Sequence, residues 1–300
     1  MKHKALVITV SVFALLVLGS FLLGVVSYLF VSSDEDGLKS VFSSGEVGLV
    51  NIEGGIYFSH DIVERLDKYR NDKSIKAVVV RIESPGGSLA ASQEIYEAIK
   101  RVAKEKPVIA SMGDVAASGG YYVACGANKI VANPGTITGS IGVRMELVQI
   151  GELLTWAKIQ HETLKSGKFK DIGSPDRPLT LEERELLEKL LVEMHGQFKK
   201  TVSESRDIKL DKLNEIADGR VFTGEQAKEL GLVDELGGLF DAVQIAGKLA
   251  GIKGEPNVVE KYKDKEDWWV KYFFESAMTR LDKIISESLI KKINSNYSIR

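Results

Sequence analysis

Cysteine is almost absent from this 300-residue sequence, and so is any excess of basic charge. The single cysteine, Cys125, excludes an intramolecular disulfide framework and cannot build a structural zinc site alone. Its apolar neighbours favour a packed thiol over a reactive one. The formal net charge is −2 at pH 7, and acidic residues are interspersed among the lysines and arginines, which argues against a nucleic-acid-binding protein.

A phosphate-binding loop is missing as well. Gly86-Gly87 lacks the GxGxxG spacing of dinucleotide-binding turns, and no Gly-Lys-Ser or Gly-Lys-Thr follows it. Because the lone cysteine also gives no metal-ligand cluster, we expect the protein to use neither a cofactor nor a metal ion.

The longest apolar run lies at the N-terminus. Residues 5–31 are broken only by small or weakly polar residues, and a helix of that length spans the core of a bilayer. Lys2 and Lys4 precede the run and three acidic residues follow at 34–36, so the positive-inside rule places the N-terminus in the cytoplasm. We therefore expect residues 1–33 to form a cytoplasmic stub and a single-pass anchor in the cell membrane, with the rest of the chain outside the cytoplasm.

A cleaved secretory signal is the alternative to this anchor. The apolar run is longer than a typical signal core, and no convincing small-x-small cleavage site ends it, which favours the anchor. The stretch 34–45 is polar and rich in Ser, Asp and Gly, as is typical of a short tether. The folded part is then expected to begin at residue 46.

Strand-like and helix-like patterns alternate after the tether. Residues 47–52, 77–82 and 108–110 are short apolar, largely β-branched runs, and 61–69 and 92–104 have apolar residues at helical spacing. This alternation predicts an α/β fold built of βαβ units, with a mostly parallel sheet covered by helices. In such sheets, functional sites form at the carboxyl ends of the strands.

Two glycine-rich stretches follow the predicted strands, at 83–88 and 113–124. Ser118 falls at a strand-to-helix junction, where the first N–H groups of a helix point at a developing negative charge. Because parallel strands bring their carboxyl ends together, we expect the amides of Gly87 and Gly119 to face one point and to form an oxyanion hole. Ordinary tight turns are the alternative if either stretch is taken alone.

A serine nucleophile needs a base to take its proton, and the four histidines are poor candidates. His3 lies on the cytoplasmic side of the predicted anchor. His60 opens a predicted helix, and His161 and His195 lie in charged surroundings with no glycine-rich turn beside them.

Lysine can act as the base when its amine is uncharged. A loop before a long predicted helix carries three lysines, and the residues alone do not choose among Lys165, Lys168 and Lys170. A solvated surface charge is the alternative for each of them. The stretch 134–143 adds small hydroxyl residues that are suited to orient a neutral amine.

The long helix is predicted over 180–200. Thr180 and Glu183 have the spacing of a capping box at its start. Leu186, Leu190 and Met194 form one apolar row, which is typical of a core or of a subunit face.

Taken in order, these motifs resemble the SppA family of signal peptide peptidases, which are serine-lysine proteases with a core like those of Clp protease and crotonase. The resemblance covers about residues 47–250. It rests on the stretches 83–87, 113–124, 138–143, 165–175, 217–224 and 227–237. It implies that Ser118 is the nucleophile, Lys170 the general base and Ser140 a residue that orients the lysine, with the amides of Gly87 and Gly119 as the oxyanion hole.

The resemblance also implies an assembly and a substrate class. The chain has no internal duplication and is therefore similar to the short form of the family, in which the serine and the lysine of one site come from adjacent subunits of a homo-oligomeric ring. Cleaved signal peptides and other apolar peptides are the implied substrates. A crotonase-type acyl-CoA enzyme is one alternative, which the predicted anchor disfavours because coenzyme A substrates are cytosolic, and a catalytically silent ring scaffold at the membrane is another.

The predicted organisation is completed by a protease core over 46–250 and a C-terminal tail over 251–300. Aromatic residues cluster at 268–274 among charged residues, and they leave three interpretations open. The tail is an interfacial membrane helix, a helix that docks on another subunit, or a segment removed by processing.

Overall fold

The computed structural model describes residues 46–262. The predicted anchor and tether lie outside these residues, as does the tail from residue 263 onward. Within 46–262, no helix is both long and apolar enough to cross a membrane.

An eight-stranded sheet and the helices around it form the described part of the chain. The strands are β1 (Glu46–Ile56), β2 (Ile75–Gly87), β3 (Val108–Ala117), β4 (Lys129–Ala132), β5 (Ile137–Gly139), β6 (Val221–Thr223), β7 (Glu235–Leu236) and β8 (Asn257–Val259). The helices are α1 (His60–Asn71), α2 (Leu89–Ala103), α3 (Gly119–Ala124), α4 (Gly151–Trp156), α5 (Leu181–Arg206), α6 (Leu210–Asn214), α7 (Gly224–Glu229) and α8 (Leu239–Leu249).

The sheet is mostly parallel, as the sequence predicts. Its main path runs β6-β5-β3-β2-β1-β8, and β5 with β6 is the antiparallel pair. The long strand β3 pairs along its first half with β4 and along its last three residues, Val115 to Ala117, with β5. The carboxyl end of β3 therefore lies between the ends of β2 and β5.

Both faces of the central strands are buried, which explains their continuous apolar runs. In β2, Val78 and Val80 point into the main core with α1, α2, α3 and the C-terminal half of α5, while Ala77 and Val79 face a smaller core against α8. The alternation fixes the register, because a shift of one residue would exchange the two faces.

The strands extend further than the apolar pattern predicts. In β2, Gly86 and Gly87 remain paired with the last residues of β1, and Ser84 pairs with Ala116 of β3. The stretch 83–87 is thus the end of β2 rather than a separate turn, and the stretch 113–124 comprises the end of β3 and helix α3, with Ser118 between them. Asn257–Val259, within the stretch predicted as a tail, pairs with β1 as a further parallel strand.

Helix α5 begins with the predicted capping box. The Thr180 hydroxyl accepts a hydrogen bond from the Glu183 amide (3.2 Å), and the Glu183 carboxylate accepts one from the Thr180 amide (2.8 Å). Leu186 and Leu190 lie on the surface, whereas Phe198 is buried in the main core. The apolar row of the first half of α5 is therefore not part of the core.

An ion pair ties the end of α5 to the sheet and gives a stability prediction. The Arg206 side chain is 9% exposed and donates to both carboxylate oxygens of Asp234, at 3.0 and 2.8 Å. Because Arg206→Met leaves a partly buried carboxylate unpaired, we expect the free energy of unfolding to fall by about 2 kcal/mol. Urea unfolding monitored by circular dichroism measures this change.

The matched control is Lys200→Met, which removes an exposed ion pair with Glu204 on the same helix (3.9 Å). It should change the free energy of unfolding by less than about 0.5 kcal/mol. Equal effects of the two substitutions would contradict the structural role given to Arg206.

Candidate active site

Ser118 lies at the junction between β3 and α3, as the sequence predicts. Its backbone has φ 53° and ψ −120°, a region that L-residues rarely adopt and that costs about 1–3 kcal/mol. Two hydrogen bonds hold this conformation: the Ser118 amide donates to the Gly139 carbonyl (2.9 Å), and its carbonyl accepts from the Tyr122 amide (2.9 Å). The side chain is half-buried beside the buried Ala116 and Ala117, so it is fixed at the strand end and still accessible.

The predicted oxyanion-hole glycines lie against each other beside Ser118. A Cβ atom at Gly119 would be 3.2 Å from the Gly87 amide nitrogen and 2.5 Å from the Ser92 hydroxyl. A Cβ atom at Gly86, where φ is +101°, would be 2.6 Å from the Gly119 amide nitrogen. Because larger side chains would push the two strand ends apart, glycine is required here for close backbone approach. The structure thus brings the Gly87 and Gly119 backbones together.

Ser84 supports this contact, and sequence reasoning did not identify it. The Ser84 side chain is fully buried, donates to the Gly54 carbonyl (2.6 Å) and accepts from the Gly86 amide (3.1 Å). It therefore links the ends of β1 and β2 directly beneath the Gly86-Gly87 pair. The sequence does place a serine inside the Glu-Ser-Pro-Gly-Gly motif. However, its partner Gly54 is 30 residues away in the chain, so the spacing of the motif does not predict the hydrogen bond.

Ser140 follows the strand adjacent to that of Ser118. Its preceding residue, Gly139, pairs with Ala117 and accepts the Ser118 amide hydrogen bond. Ser140 has φ 50°, and its amide donates to the Arg220 carbonyl (2.8 Å). The two serines thus stand at neighbouring strand ends, and Ser140 is half-buried.

The three loop lysines differ in their contacts. The Lys165 ammonium donates to an Asp171 carboxylate oxygen (2.6 Å) and to the Lys168 carbonyl (3.1 Å). Lys168 forms an ion pair with Glu182. The side chain of Lys170 is exposed, and over residues 46–262 it has neither a hydrogen-bond partner nor an ion-pair partner. In particular, no hydrogen bond joins it to Ser118 of the same chain.

None of the three histidines in residues 46–262 hydrogen-bonds Ser118. His60 Nε2 lies 3.8 Å from a carboxylate oxygen of Glu64, and His161 Nδ1 lies 3.1 Å from a carboxylate oxygen of Asp176. His195 differs from its predicted surroundings, since its Nε2 lies 3.1 Å from the Ile141 carbonyl and so contacts the segment that follows Ser140. The charged sequence around His195 gave no sign of this contact, because it is made across 54 residues.

Cys125 is buried behind α3 and is not part of the site. Burial raises the pKa of its thiol to about 12, so the thiolate is not formed near neutral pH. In the part of the chain that the structure describes, no group of His, Cys, Asp or Glu side chains could hold a metal ion.

Two family models match the part of the chain that carries these residues. The model of peptidase family S49 matches residues 100–253, and the model of Clp protease matches residues 51–136. Among solved structures, a ClpP1 variant from Listeria monocytogenes covers 65% of this chain and 93% of its own length, with 18% identity and a TM-score of 0.45.

Relatives are found in several groups of organisms. A Synechocystis sp. protein is 47% identical over 63% of this chain and 68% of its own length, and a Methanocaldococcus jannaschii protein is 36% identical over 78% and 80%; both carry a provisional name as proteases. The chloroplastic serine protease SPPA of Arabidopsis thaliana is 42% identical over 75% of this chain and 34% of its own length. The chain belongs to peptidase family S49 as a serine protease of the SppA family.

Proposed function

We propose that the chain is a membrane-anchored endopeptidase that degrades cleaved signal peptides and similar apolar peptides outside the cytoplasm, with Ser118 as nucleophile and Lys170 as general base. The observation that carries this proposal is the strained Ser118 beside the contact between Gly87 and Gly119. A reactive hydroxyl next to two backbone amides is the arrangement that acyl transfer requires.

The proposed reaction begins with attack of the Ser118 hydroxyl on the scissile carbonyl carbon. The hydroxyl proton passes to the uncharged amine of Lys170, and the carbonyl oxygen becomes an oxyanion held by the amides of Gly87 and Gly119. Collapse breaks the peptide C–N bond, and Lys170 returns the proton to the leaving amine. Water then cleaves the Ser118 ester by the same sequence of steps. In this proposal Ser140, at the neighbouring strand end, orients the lysine.

The contacts of the loop lysines favour Lys170 as the base. A base must accept a proton from a hydroxyl, whereas an ammonium that donates to a carboxylate is already occupied. Lys165 and Lys168 donate to Asp171 and Glu182, while Lys170 projects from the same loop without such a partner in residues 46–262.

We further propose that Lys170 of one subunit serves Ser118 of its neighbour in a homo-oligomeric ring. The support is a set of exposed large apolar side chains in and next to the lysine loop in the sequence, which includes Trp156 (81% exposed) and Leu164 (90% exposed) together with Leu186 and Leu190 of α5. A contiguous sequence region with so many exposed large apolar side chains is typical of an interface between subunits.

Exposed aromatic residues after β1 support the apolar substrate class. Ile56, the last residue of β1, pairs with Gly87, and the next two residues are the strongly exposed aromatics Tyr57 and Phe58. An extended peptide laid across the strand ends would meet these rings, so apolar side chains would gain burial by binding there.

The first prediction from this proposal concerns the two reacting groups. Ser118→Ala and Lys170→Ala should each lower kcat/KM for an apolar fluorogenic peptide by at least ~10³-fold, because one removes the nucleophile and the other its base. The control is Lys168→Ala, which removes a lysine from the same loop and should leave kcat/KM within about twofold. Cleavage by both alanine variants at the parental rate would contradict the proposed function.

The second prediction concerns the shared site. Each of the two variants retains the group that the other lacks, so co-expression of Ser118→Ala and Lys170→Ala chains should restore about one quarter of the parental activity if mixing is random and each site spans two subunits. When oligomers of each variant are assembled separately and then mixed without exchange of subunits, no activity should be restored. A site contained within one chain predicts no restoration in either case.

The third prediction concerns the anchor. The full chain should sediment with membranes and resist carbonate extraction, and protease added outside spheroplasts should digest the part from residue 46 onward. Release of a chain that lacks residues 1–33 would instead support the cleaved-signal alternative. Full protection from the external protease would contradict the proposed orientation.

A further inference from the structure

The loop that carries Lys170 has little backbone structure of its own. Between the end of α4 at Trp156 and the start of α5 at Leu181, the chain forms no helix and no strand. Local turns close around the lysine, where the Lys170 amide donates to the Gly167 carbonyl and the Ser174 amide to the Asp171 carbonyl. A loop of this length without secondary structure is ordered through contacts with other parts of the chain, such as the hydrogen bond from the Ile150 amide to the Pro175 carbonyl (2.7 Å). The position of Lys170 therefore depends on what fixes its neighbours.

Arg177 joins this loop to α5. Its guanidinium donates to both carboxylate oxygens of Glu183, with Nη1 2.8 Å from Oε2 and Nη2 2.6 Å from Oε1. The same group reaches Asp171, whose Oδ2 lies 3.0 Å from Nη2 and 3.3 Å from Nε. A planar guanidinium holds two carboxylates in a fixed relative geometry, which a lysine ammonium does not.

The Glu183 end of this network is rigid. Glu183 is 3% exposed, lies in the first turn of α5 and completes the capping box with Thr180. The hydrogen bonds from Arg177, followed by that from the Thr180 amide, lower the pKa of Glu183 to about 2, so it remains anionic at working pH. Because α5 is packed into the core through Phe198 and Val202, Glu183 provides a fixed attachment point.

The Asp171 end is directly adjacent to Lys170. Asp171 Oδ1 accepts from Lys165 (2.6 Å), while Oδ2 faces Arg177. These contacts, that of Lys165 first, hold the pKa of Asp171 below its usual range. The peptide that follows Lys170 is therefore held from two sides, by Lys165 within the loop and by Arg177 toward α5.

We propose that Arg177 is a positioning residue for catalysis: by bridging Asp171 to Glu183 it fixes the backbone next to Lys170, so that the amine reaches the nucleophile in one orientation. This inference rests on the proposed role of Lys170. Arg177 itself touches no reacting atom. Its loss should leave substrate binding intact and reduce the fraction of time in which the base is in place.

The test is Arg177→Met in the full chain, assayed with the apolar fluorogenic peptide. We expect kcat to fall at least ~10-fold with KM within about twofold, because the substrate contacts are unchanged. Arg177→Lys, which keeps the charge but not the planar fork, should give an intermediate kcat. The control is Arg184→Met, which changes an exposed arginine next to Glu183 in the first turn of α5 and should leave both constants unchanged. An unchanged kcat in Arg177→Met, or an equal loss in Arg184→Met, would overturn the proposal.

Co-expressed chains separate positioning of the base from a general structural effect. With Ser118→Ala and Lys170→Ala chains, the working lysine loop comes from the Ser118→Ala chain. Arg177→Met placed in that chain should lower the restored activity at least ~10-fold, whereas Arg177→Met in the Lys170→Ala chain should not change it. Equal effects in both placements would overturn the positioning role. Lack of restoration before Arg177 is changed would refute the shared site instead, and the kcat and KM of the single variant would then decide the role of Arg177.

Discussion

The close approach of two backbone segments determines the rest of this site. The ends of β2 and β3 meet where Gly86 and Gly87 lie against Gly119, and a Cβ atom there would collide with a backbone nitrogen or with the Ser92 hydroxyl. Parallel pairing brings the strand ends to one edge, but only residues without side chains let them touch. Because Ser118 immediately precedes Gly119, the contact that brings the Gly87 and Gly119 backbones together also holds Ser118 beside them. The geometry of Ser118 is therefore a consequence of sheet packing.

The two halves of the proposed site are held by different forces. Ser118, Gly87 and Gly119 belong to the sheet and are fixed by backbone hydrogen bonds within a buried core. Lys170 belongs to an exposed loop that is fixed by ion pairs of its neighbours. Such a division suits the proposed ring, in which Ser118 is held within one chain and Lys170 is presented to it by a second chain.

Sequence patterns predicted the parts of the structure that depend on local physics. The β-branched runs gave the central parallel strands, and the Thr180 to Glu183 spacing gave the start of α5, because both signals act within a few residues. The strand ends were predicted too short, because glycine and proline are typical of turns and the pairing of Gly86 and Gly87 with β1 is a long-range interaction.

Other features could not be predicted from one sequence because they also depend on long-range interactions. The residues alone left three lysines equivalent, and what separates them is which carboxylates the fold brings near. The hydrogen bonds of Ser84 and the contact of His195 with Ile141 likewise join segments far apart in the chain. An amphipathic row such as that of Leu186 has the same pattern whether it faces a core or another subunit, so its exposure had to be observed.

The most direct test is a crystal structure of the assembled protein after reaction with a serine-reactive fluorophosphonate. The account predicts a covalent adduct on Ser118 whose phosphoryl oxygen lies about 2.7–3.1 Å from the amide nitrogens of both Gly87 and Gly119. It also predicts the Lys170 amine of a neighbouring subunit within hydrogen-bond reach of the Ser118 Oγ. Modification of a different residue, or a phosphoryl oxygen directed away from both amides, would contradict it.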